Sequence, residues 1–288
     1  MNRVEYVCIS HSPLLQDDLP GAPGPVFRAA AESVRAAIAA YDPDLVVYFG
    51  TEHRRTLTDI VPSFTIGLAA KGYGDWNLPE DAYAVPHDLA TALAESVLAD
   101  GIDIAFAPSL RLDHGFGLTW KQLLGPFDAR PVIPIVVNCA IPPLCSPLRA
   151  VALGQAVGRG IRELKERASR VLVIASGGLS HSPRAVNPQT ALLPEAERQA
   201  TSRGSLIDAG KLIDPAWDRQ FLELVRRADL PALGALTTDG IAIAGPGAQE
   251  VRTWIAAVAA VASGANAVSY EPVPEWITGM GIATSFAA

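Results

Sequence analysis

The stretch RVLVIASGGLSHSP, residues 170 to 183, joins an apolar run to two glycines and a histidine. The run lacks a polar residue at every second position, which indicates a β-strand covered on both faces. Similar runs occur at residues 4–10, 44–50, 102–108 and 131–138. A chain that repeats such strands predicts a sheet that is buried between two layers of other structure.

Alanine-rich segments with helical spacing alternate with these runs, at residues 26–41, 87–100, 147–167 and 248–262. Strands that alternate with helices are typical of an α/β fold, so we expect a central, mostly parallel or mixed β-sheet flanked by helices. We expect residues 1–288 to form a single catalytic domain. The polar segment 184–213 is predicted to be a surface excursion or lid.

Composition argues against several classes of protein. The chain has 288 residues, of which 49% are hydrophobic and 18% charged, so it can bury a large core. A net charge of -7, without lysine and arginine runs among aromatic residues, argues against nucleic-acid binding. The three cysteines form no CxxC pair, so we expect neither a disulfide framework nor a cysteine zinc site. No stretch approaches the roughly 20 apolar residues of a membrane span and no signal pattern opens the chain, so we expect a cytoplasmic protein.

Four of the five histidines follow strand-like runs: His11, His53, His114 and His181. In an open α/β sheet the ligand crevice lies outside the carboxyl ends of the strands, so these imidazoles can converge there. His87 differs because it begins a helical segment, where a capping or solvated role suffices. His11 and His181 lie in identical Ser-His-Ser-Pro tetrapeptides, which indicates a shared local geometry.

Histidine clusters without cysteine are typical of metal ligation or of acid/base catalysis. Two histidines and one carboxylate suit a non-haem Fe(II) oxygenase, and the same ligands suit a hydrolytic zinc site. Spacing does not select the carboxylate, since Glu52 and Asp113 each adjoin a histidine and neighbouring side chains on an extended chain point opposite ways. Asp113 could instead orient a nearby imidazole.

Six motifs occur in order along the chain: CISHSPLL (8–15), LRLDHGFGLTW (110–120), SGGLSHSP (176–183), DPAWDRQFL (214–222), EVRTWIAAVAAV (250–261) and PVPEWITGMG (272–281). Together they resemble the class III extradiol ring-cleavage dioxygenases, the superfamily of the protocatechuate 4,5-dioxygenase catalytic subunit. Within it they are most similar to the 2,3-dihydroxyphenylpropionate 1,2-dioxygenases. The resemblance implies an Fe(II) enzyme of aromatic catabolism that inserts both atoms of O2 into a catechol-type ring and cleaves it next to the diol.

The resemblance also implies which residues carry the reaction. It places the metal ligands at His11, His53 and Glu250. Without the family pattern, a glutamate in a first helical turn is explained by the helix dipole alone. The two catalytic histidines outside the metal shell fall on His114 and His181.

A division of roles between these two histidines follows from the chemistry. A catechol must lose protons to chelate iron through both oxygens, and a histidine with a pKa near ~6.5 is suited to accept one. We expect His181 to deprotonate the substrate hydroxyl and to stabilise negative charge on oxygen. We expect His114, oriented by Asp113, to act as the acid.

The substituent of the ring is the least determined part of the prediction. The motif TEHRR contains Arg54 and Arg55, where less basic residues are expected from the resemblance, and the segment after His181 looks shorter. Arg54, Arg55 and Arg184 are candidates for holding a substrate carboxylate, which guanidinium matches bidentately. The substrate could be a 2,3-dihydroxyphenylalkanoate, a simpler catechol, an aminophenol or a hydroxypyridone. The resemblance also implies a homo-oligomer.

Two alternatives remain open at this level. A zinc-dependent hydrolase could use the same three ligands, although it has no need for a second catalytic imidazole. A non-enzymatic metal-binding protein is the other, because the Memo proteins resemble this fold and keep histidines. The complete set of histidines and Glu250, together with DHGFG and PVPEWITGMG, favours the enzyme.

Overall fold

A computed structural model describes residues 3–16, 21–183, 194, 197 and 210–287 of the chain. The predicted excursion at 184–213 lies outside these residues, apart from positions 194, 197 and 210–213, and so does Arg184. Among the described residues no helix combines the length and the apolarity that crossing a membrane requires.

Ten strands are described, numbered here in chain order. Eight of them form one mixed sheet: β1 (Arg3–Ile9), β2 (Leu45–Gly50), β3 (Phe64–Gly67), β5 (Ala105–Ala107), β7 (Val132–Val137), β8 (Arg170–Ser176), β9 (Ala267–Val273) and β10 (Thr278–Thr284). A small separate sheet pairs β4 (Ala70–Gly72) with β6 (Leu110–Leu112). The order in the large sheet is β5-β3-β7-β2-β8-β1-β10-β9.

The inner strands of the large sheet run in one direction. Strand β8 pairs in parallel with both β1 and β2, and β2 pairs in parallel with β7. The flanking pairs β3–β7, β1–β10 and β10–β9 are antiparallel. The carboxyl ends of β1, β8 and β2 therefore meet at one edge, as the prediction of a mixed sheet requires.

The sheet is covered by helices on both faces, which confirms the predicted α/β fold class. The helices are α1 (Pro25–Tyr41), α2 (His87–Ala99), α3 (His114–Leu123), α4 (Pro147–Glu163), α5 (Pro215–Arg227), α6 (Leu230–Ala235), α7 (Thr238–Ala242) and α8 (Val251–Val261). Helices α1 and α3 pack on one face, in a core that includes Phe27, Phe116 and Trp120. Helices α2, α4, α5 and α8 pack on the other face, where Trp254 is fully buried.

The side chains of the inner strands alternate between these two cores, so these strands are apolar on both sides. In β8, Val171 and Val173 face the α4 and α8 layer, whereas Leu172 and Ile174 face the α1 and α3 layer. All six described residues after Arg170 in this strand are buried. Burial on both faces is the physical reason that the run at 170–176 lacks polar alternation.

Helices α4 and α8 pack at unusually close range. A Cβ atom added to Gly154 would collide with the carbonyl oxygen of Ala256, and one added to Gly158 would collide with that of Ala260. The bare glycine backbone therefore lets α8 lie against α4. This contact fixes the position of α8, and Glu250 directly precedes the first residue of that helix.

Candidate active site

The carboxyl ends of β1, β2 and β8 carry three of the four convergent histidines. His11 follows β1, His53 follows β2 and His181 follows β8. His114 arrives differently, as the first residue of α3 after β6 of the small sheet. The structure thus brings all four together, although only three of them come from strands of the large sheet.

The carboxylate of Glu250 lies at the centre of these rings. Glu250 ends a 3-10 turn, Pro246–Glu250, that leads directly into α8. Its Oε1 lies 3.1 Å from Nε2 of His53 and 3.7 Å from Nε2 of His181. Its Oε2 lies 3.9 Å from Nε2 of His11 and accepts a 2.6 Å hydrogen bond from the N–H of Gly178. One buried carboxylate therefore has three imidazoles within 4 Å.

Each of the four histidines has a hydrogen-bond partner at Nδ1. The partners are Ser176 Oγ for His11 at 2.9 Å, Asp113 Oδ2 for His53 at 3.0 Å, Asp75 Oδ2 for His114 at 2.6 Å, and the carbonyl oxygen of Leu179 for His181 at 2.8 Å. Such bonds fix the orientation of an imidazole and select its tautomer. In each ring Nε2 is the nitrogen left for a metal or for proton exchange.

Asp113 does not contact His114 as predicted, and the prediction that it orients this ring is corrected. Its Oδ2 accepts from both the backbone N–H and Nδ1 of His53, at 2.7 and 3.0 Å. Its Oδ1 accepts from the N–H of Gly115 at 2.9 Å and caps α3. An N-capping side chain turns back over the first turn of its own helix, so it reaches the end of β2 and not the following residue's ring.

Asp75 takes the place beside His114 that Asp113 was expected to have. Nothing in the sequence near Asp75 indicated this role, since 39 residues separate it from His114. The side chains of Asp75 and His114 are 10% and 9% exposed, so their 2.6 Å contact is shielded from water. Arg55 approaches the same carboxylate, with its Nε 3.5 Å from Oδ2 of Asp75.

Glu52 points away from the centre, although it adjoins His53. Its carboxylate accepts the backbone N–H groups of Arg54 at 3.0 Å, of Thr56 at 2.7 Å, and of Arg55. Burial raises the pKa of Glu52 to about 7, with the nearby charge of Asp113 adding to the effect. Glu52 is therefore a buried turn residue, as the opposite directions of neighbouring side chains suggested.

The histidine rings pack against one another. His53 and His114 stack with centroids 4.2 Å apart, and His11 lies edge-on to both, at 5.4 and 5.9 Å. One ring nitrogen from each of these three residues falls within 4.8 Å of the other two, so they could also hold a metal ion as a group. A second such group consists of Asp75, Asp113 and His114.

Electrostatics divide the rings into neutral and proton-holding types. Burial lowers the pKa of His11 to about 3, despite the opposing charge of Glu250, so its imidazole is neutral. Burial acts in the same direction on His53, but the carboxylates of Asp113 and Glu250 outweigh it and raise its pKa well above the usual value. Glu250 likewise outweighs burial at His181 and raises its pKa. Burial would raise the pKa of Glu250, but the charge of His181 and the hydrogen bonds from His181 and His53 outweigh it and hold this pKa well below its usual range.

The ring of His181 lies between two glycines. A Cβ atom on Gly178 or on Gly247 would collide with this imidazole. Of the two glycines in SGGLSH, Gly178 therefore makes room for His181 and donates its N–H to Glu250, whereas a Cβ atom on Gly177 would collide with Glu250. The serine before His181 is also anchored, because Asp218 accepts from both its N–H and its hydroxyl, at 2.8 and 2.6 Å.

The arginine candidates have different surroundings. Arg55 lies against Asp75, and Arg184 is outside the described residues. Arg54 follows His53 with a left-handed backbone, φ 61°. Its Nη1 is buried and has no hydrogen-bond partner among the residues that the structure describes. A cleft of about 540 Å³ opens beside His11 between α1 and α3, bordered by Leu15 and Leu118.

The donor atoms fit a divalent metal ion. His11, His53 and Glu250 offer two imidazole nitrogens and a carboxylate oxygen from a buried position, and Nδ1 of each imidazole already has a partner. Oriented imidazoles of this kind are typical of metal ligands. The Glu250 carboxylate is buried among imidazole nitrogens, with His53 Nε2 3.1 Å from Oε1 and His11 Nε2 3.9 Å from Oε2, so these three side chains offer their donor atoms to the same small space.

Comparisons with known proteins agree with this chemistry. The family described as the catalytic LigB subunit of aromatic ring-opening dioxygenase matches residues 5–281. The chain is 36% identical over 307 residues to a 2,3-dihydroxyphenylpropionate/2,3-dihydroxicinnamic acid 1,2-dioxygenase of Burkholderia vietnamiensis, with 96% of each chain covered. It is 36% identical over 315 residues to the enzyme of that name from Rhodococcus jostii, with 99% of this chain and 98% of the other covered.

Among solved structures, the chain is similar to the crystal structure of an uncharacterized protein from Escherichia coli K12. The TM-score is 0.50 and the sequences are 16% identical, with 98% of this chain and 99% of the other covered. At this level of identity the likeness concerns the fold alone.

Proposed function

The chain belongs to the family of the catalytic LigB subunit of aromatic ring-opening dioxygenase, and from this membership we propose which residues and which metal carry its reaction. The chain is an extradiol dioxygenase, which uses O2 to open a catechol-type ring beside the diol. The names of its relatives state the same chemistry, because a 1,2-cleavage of a 2,3-dihydroxyphenyl ring breaks a bond next to the two hydroxyls and not between them.

The proposed metal is Fe(II), and the proposed ligands are His11, His53 and Glu250. The observation that carries this proposal is the position of the Glu250 carboxylate, 3.1 Å from Nε2 of His53 and 3.9 Å from Nε2 of His11. Two histidines and one carboxylate that leave open positions are the ligand set of non-haem Fe(II) oxygenases. Bound there, the iron would supply a site at which the diol and O2 meet and exchange electrons.

The residues around this site would then move the protons. His181 is proposed to accept a proton from a substrate hydroxyl at Nε2, since its Nδ1 donates to the carbonyl of Leu179 and a cation bound to Glu250 would cancel the charge that raises the pKa of His181. His114 is proposed to donate a proton later, again through Nε2, as its Nδ1 lies against Asp75. Both side chains are about 9% exposed, so bulk water would compete little with these transfers.

The proposed substrate is a 2,3-dihydroxyphenyl ring with a carboxylate on its side chain. Arg54 is the proposed partner of that carboxylate, because its Nη1 is buried without a partner in the described part of the chain. A buried guanidinium nitrogen in that state favours an anionic ligand. The cleft beside His11, at about 540 Å³, falls in the size range of small-molecule sites.

The first test is anaerobic reconstitution with Fe(II), followed by oxygen uptake on catechols, aminophenols and pyridinediols. We expect uptake with dihydroxyphenylalkanoates and loss of bound iron in the His11→Ala, His53→Ala and Glu250→Gln variants. Glu52→Gln is the matched control, since Glu52 is equally buried but points away from the centre. Bound iron without oxygen uptake on any of these compounds would contradict the proposed function. Zinc at full occupancy, with no oxygen uptake, would favour a hydrolase.

The second test concerns the carboxylate. The Arg54→Gln variant should lose about 10- to 100-fold in kcat/KM on 2,3-dihydroxyphenylpropionate. It should act normally on a 3-alkylcatechol that lacks a carboxylate. Arg227→Gln, which changes an exposed arginine of α5 paired with Glu223, is the control. An equal loss on both substrates would show that Arg54 has a structural role instead.

The homo-oligomeric state and the cytoplasmic location stay predictions, and light scattering of the purified protein tests the oligomeric state.

A further inference from the structure

Asp75 lies in the loop after β4, next to two residues with left-handed backbones. Trp76 and Asn77 have φ of 49° and 58°, and the N–H of Leu78 donates to the carbonyl of Asp75 at 3.0 Å. Non-glycine residues seldom adopt this backbone, and surrounding contacts must hold it. The turn directs the Asp75 side chain inward, where it is 10% exposed and lies 2.6 Å from Nδ1 of His114.

The chemistry of this contact determines where His114 carries its proton. An ionised carboxylate can only accept hydrogen bonds, so Nδ1 of His114 must be the donor. In the neutral ring the lone pair is then on Nε2, and in the imidazolium the second proton is on Nε2. The guanidinium of Arg55 lies 3.5 Å from the same oxygen, so the Asp75 carboxylate has a cationic neighbour as well as the imidazole.

We infer that Asp75 is a positioning residue that fixes the tautomer of His114, so that the ring exchanges protons with substrate through Nε2. The inference rests on the proposed role of His114 as a proton donor in the ring-opening reaction. It assigns to Asp75 the function that sequence reasoning gave to Asp113, which the structure pairs with His53 instead. It also gives Arg55 a place beside Asp75, whose carboxylate it approaches.

The packing around His114 explains why the tautomer of this ring must be fixed by a hydrogen bond. The ring stacks on His53 at 4.2 Å, and Trp76 lies edge-on to it at 6.1 Å, so rotation of the ring is restricted on several sides. A ring held in this way cannot exchange the places of its two nitrogens without leaving its contacts. The nitrogen that carries the proton must therefore be selected by the hydrogen bond at Nδ1, and Asp75 supplies it.

The test compares Asp75→Asn with Asp75→Glu in the iron-loaded full-length enzyme. Asparagine is close in shape but can donate to Nδ1 and does not stabilise an imidazolium, so kcat should fall about 100-fold with KM changed little. Glutamate restores the carboxylate, so Asp75→Glu should recover part of the lost kcat. Asp81→Asn, which alters an exposed carboxylate of the same loop region, should leave both constants unchanged.

A second readout does not depend on turnover. Long-range ¹H–¹⁵N spectra of the zinc-loaded protein, with the His114 signals assigned through His114→Ala, report which ring nitrogen carries the proton. We expect the Nδ1–H form in the wild type and a shift toward the Nε2–H form in Asp75→Asn. A purely structural role of Asp75 would lower stability without moving these signals.

The outcomes separate this inference from the proposed function. Two results would overturn the role of Asp75 without affecting the proposed dioxygenase function. One is an active wild type whose kcat is unchanged in Asp75→Asn, and the other is an Nε2–H tautomer of His114 in the wild type. If the wild type takes up no oxygen but His114 is in the Nδ1–H form, and Asp75→Asn abolishes that form, the proposed substrate is contradicted. The role of Asp75 in fixing the tautomer of His114 is then still supported.

Discussion

Oδ2 of Asp113 accepts two hydrogen bonds from a single residue, His53, from its backbone N–H at 2.7 Å and from its ring Nδ1 at 3.0 Å. The pair joins the end of β2 to the start of α3, because Oδ1 of the same carboxylate caps that helix. Burial would raise the pKa of Asp113, but the neighbouring rings of His53 and His114 and the hydrogen bonds from His53 hold this pKa below its usual value. Asp113 thus fixes both the backbone and the ring of a proposed metal ligand.

The Asp113→Asn variant should bind metal about 10- to 100-fold more weakly than the wild type. Asparagine retains an oxygen that can cap α3, so the fold should survive, but the amide lacks the charge that makes His53 a strong ligand. Zinc or cobalt affinity, measured by competition with a chelator, checks this, with a thermal melt to confirm folding. Unchanged affinity in a folded variant would show that Asp113 serves only as a helix cap.

Metal affinity should rise with pH, because His53 and His181 both have raised pKa values in the metal-free protein. A metal ion needs the lone pair of Nε2 of His53, so below this raised pKa binding must displace a proton. The association constant should then increase by about tenfold per pH unit for one proton displaced, and level off above the pKa of His53. Calorimetry in buffers of different ionisation enthalpy counts the protons released. A constant affinity across the range, with no proton release, would contradict the arrangement.

The Glu52→Gln variant should gain stability over the wild type as pH rises. The pKa of Glu52 is about 7 in the folded protein and close to ~4.5 when unfolded, so ionisation of the buried carboxyl opposes folding. The contribution of Glu52 to stability is fully present below the unfolded pKa, and about 3 kcal/mol is lost as pH rises from the unfolded pKa through the folded one. Urea unfolding at pH 5 and pH 8 measures this difference. A variant that is less stable than the wild type at both pH values would mean that the charge on Glu52 contributes to the turn at 54–56.

Replacing Gly154 by alanine should destabilise the protein by about 1–3 kcal/mol, even though alanine is the better helix former. The added methyl would meet the carbonyl oxygen of Ala256 across the contact between α4 and α8. Gln155→Ala, one residue further along the same helix and exposed, should change stability by less than about 0.5 kcal/mol. Denaturant unfolding measures the free energy of unfolding of both variants. If Gly154→Ala is as stable as Gln155→Ala, α8 can move away from α4 at little cost.

The sequence alone was sufficient to predict the features that depend on a local pattern of residues. His11, His53 and His181 follow apolar runs, and parallel pairing of β1, β2 and β8 brings the ends of those runs together. Strands β9 and β10 were not predicted, because their sequences lack a continuous apolar run. Most of β9 is only partly buried, and β10 contains two glycines, which weaken a strand pattern.

Contacts between distant segments were not accessible from the sequence. Glu250 was selected only through the resemblance, since a glutamate before a helix has an ordinary explanation in the helix dipole. Asp75 was missed because no local pattern relates a loop carboxylate to a helix start 39 residues away. Asp113 was recognised as a partner for an imidazole, but its capping geometry directs it to the ring that lies 60 residues away in sequence.

The two glycines that border His181 also limit how the enzyme can be re-engineered. Any side chain at Gly178 or Gly247 would push the imidazole off Glu250, so a mutational library at these positions should consist almost entirely of inactive proteins. The cleft between α1 and α3 is bordered by Leu15 and Leu118 and by neither of these glycines. Efforts to change the range of rings that this enzyme opens should therefore vary the residues that border this cleft and leave Gly178 and Gly247 unchanged.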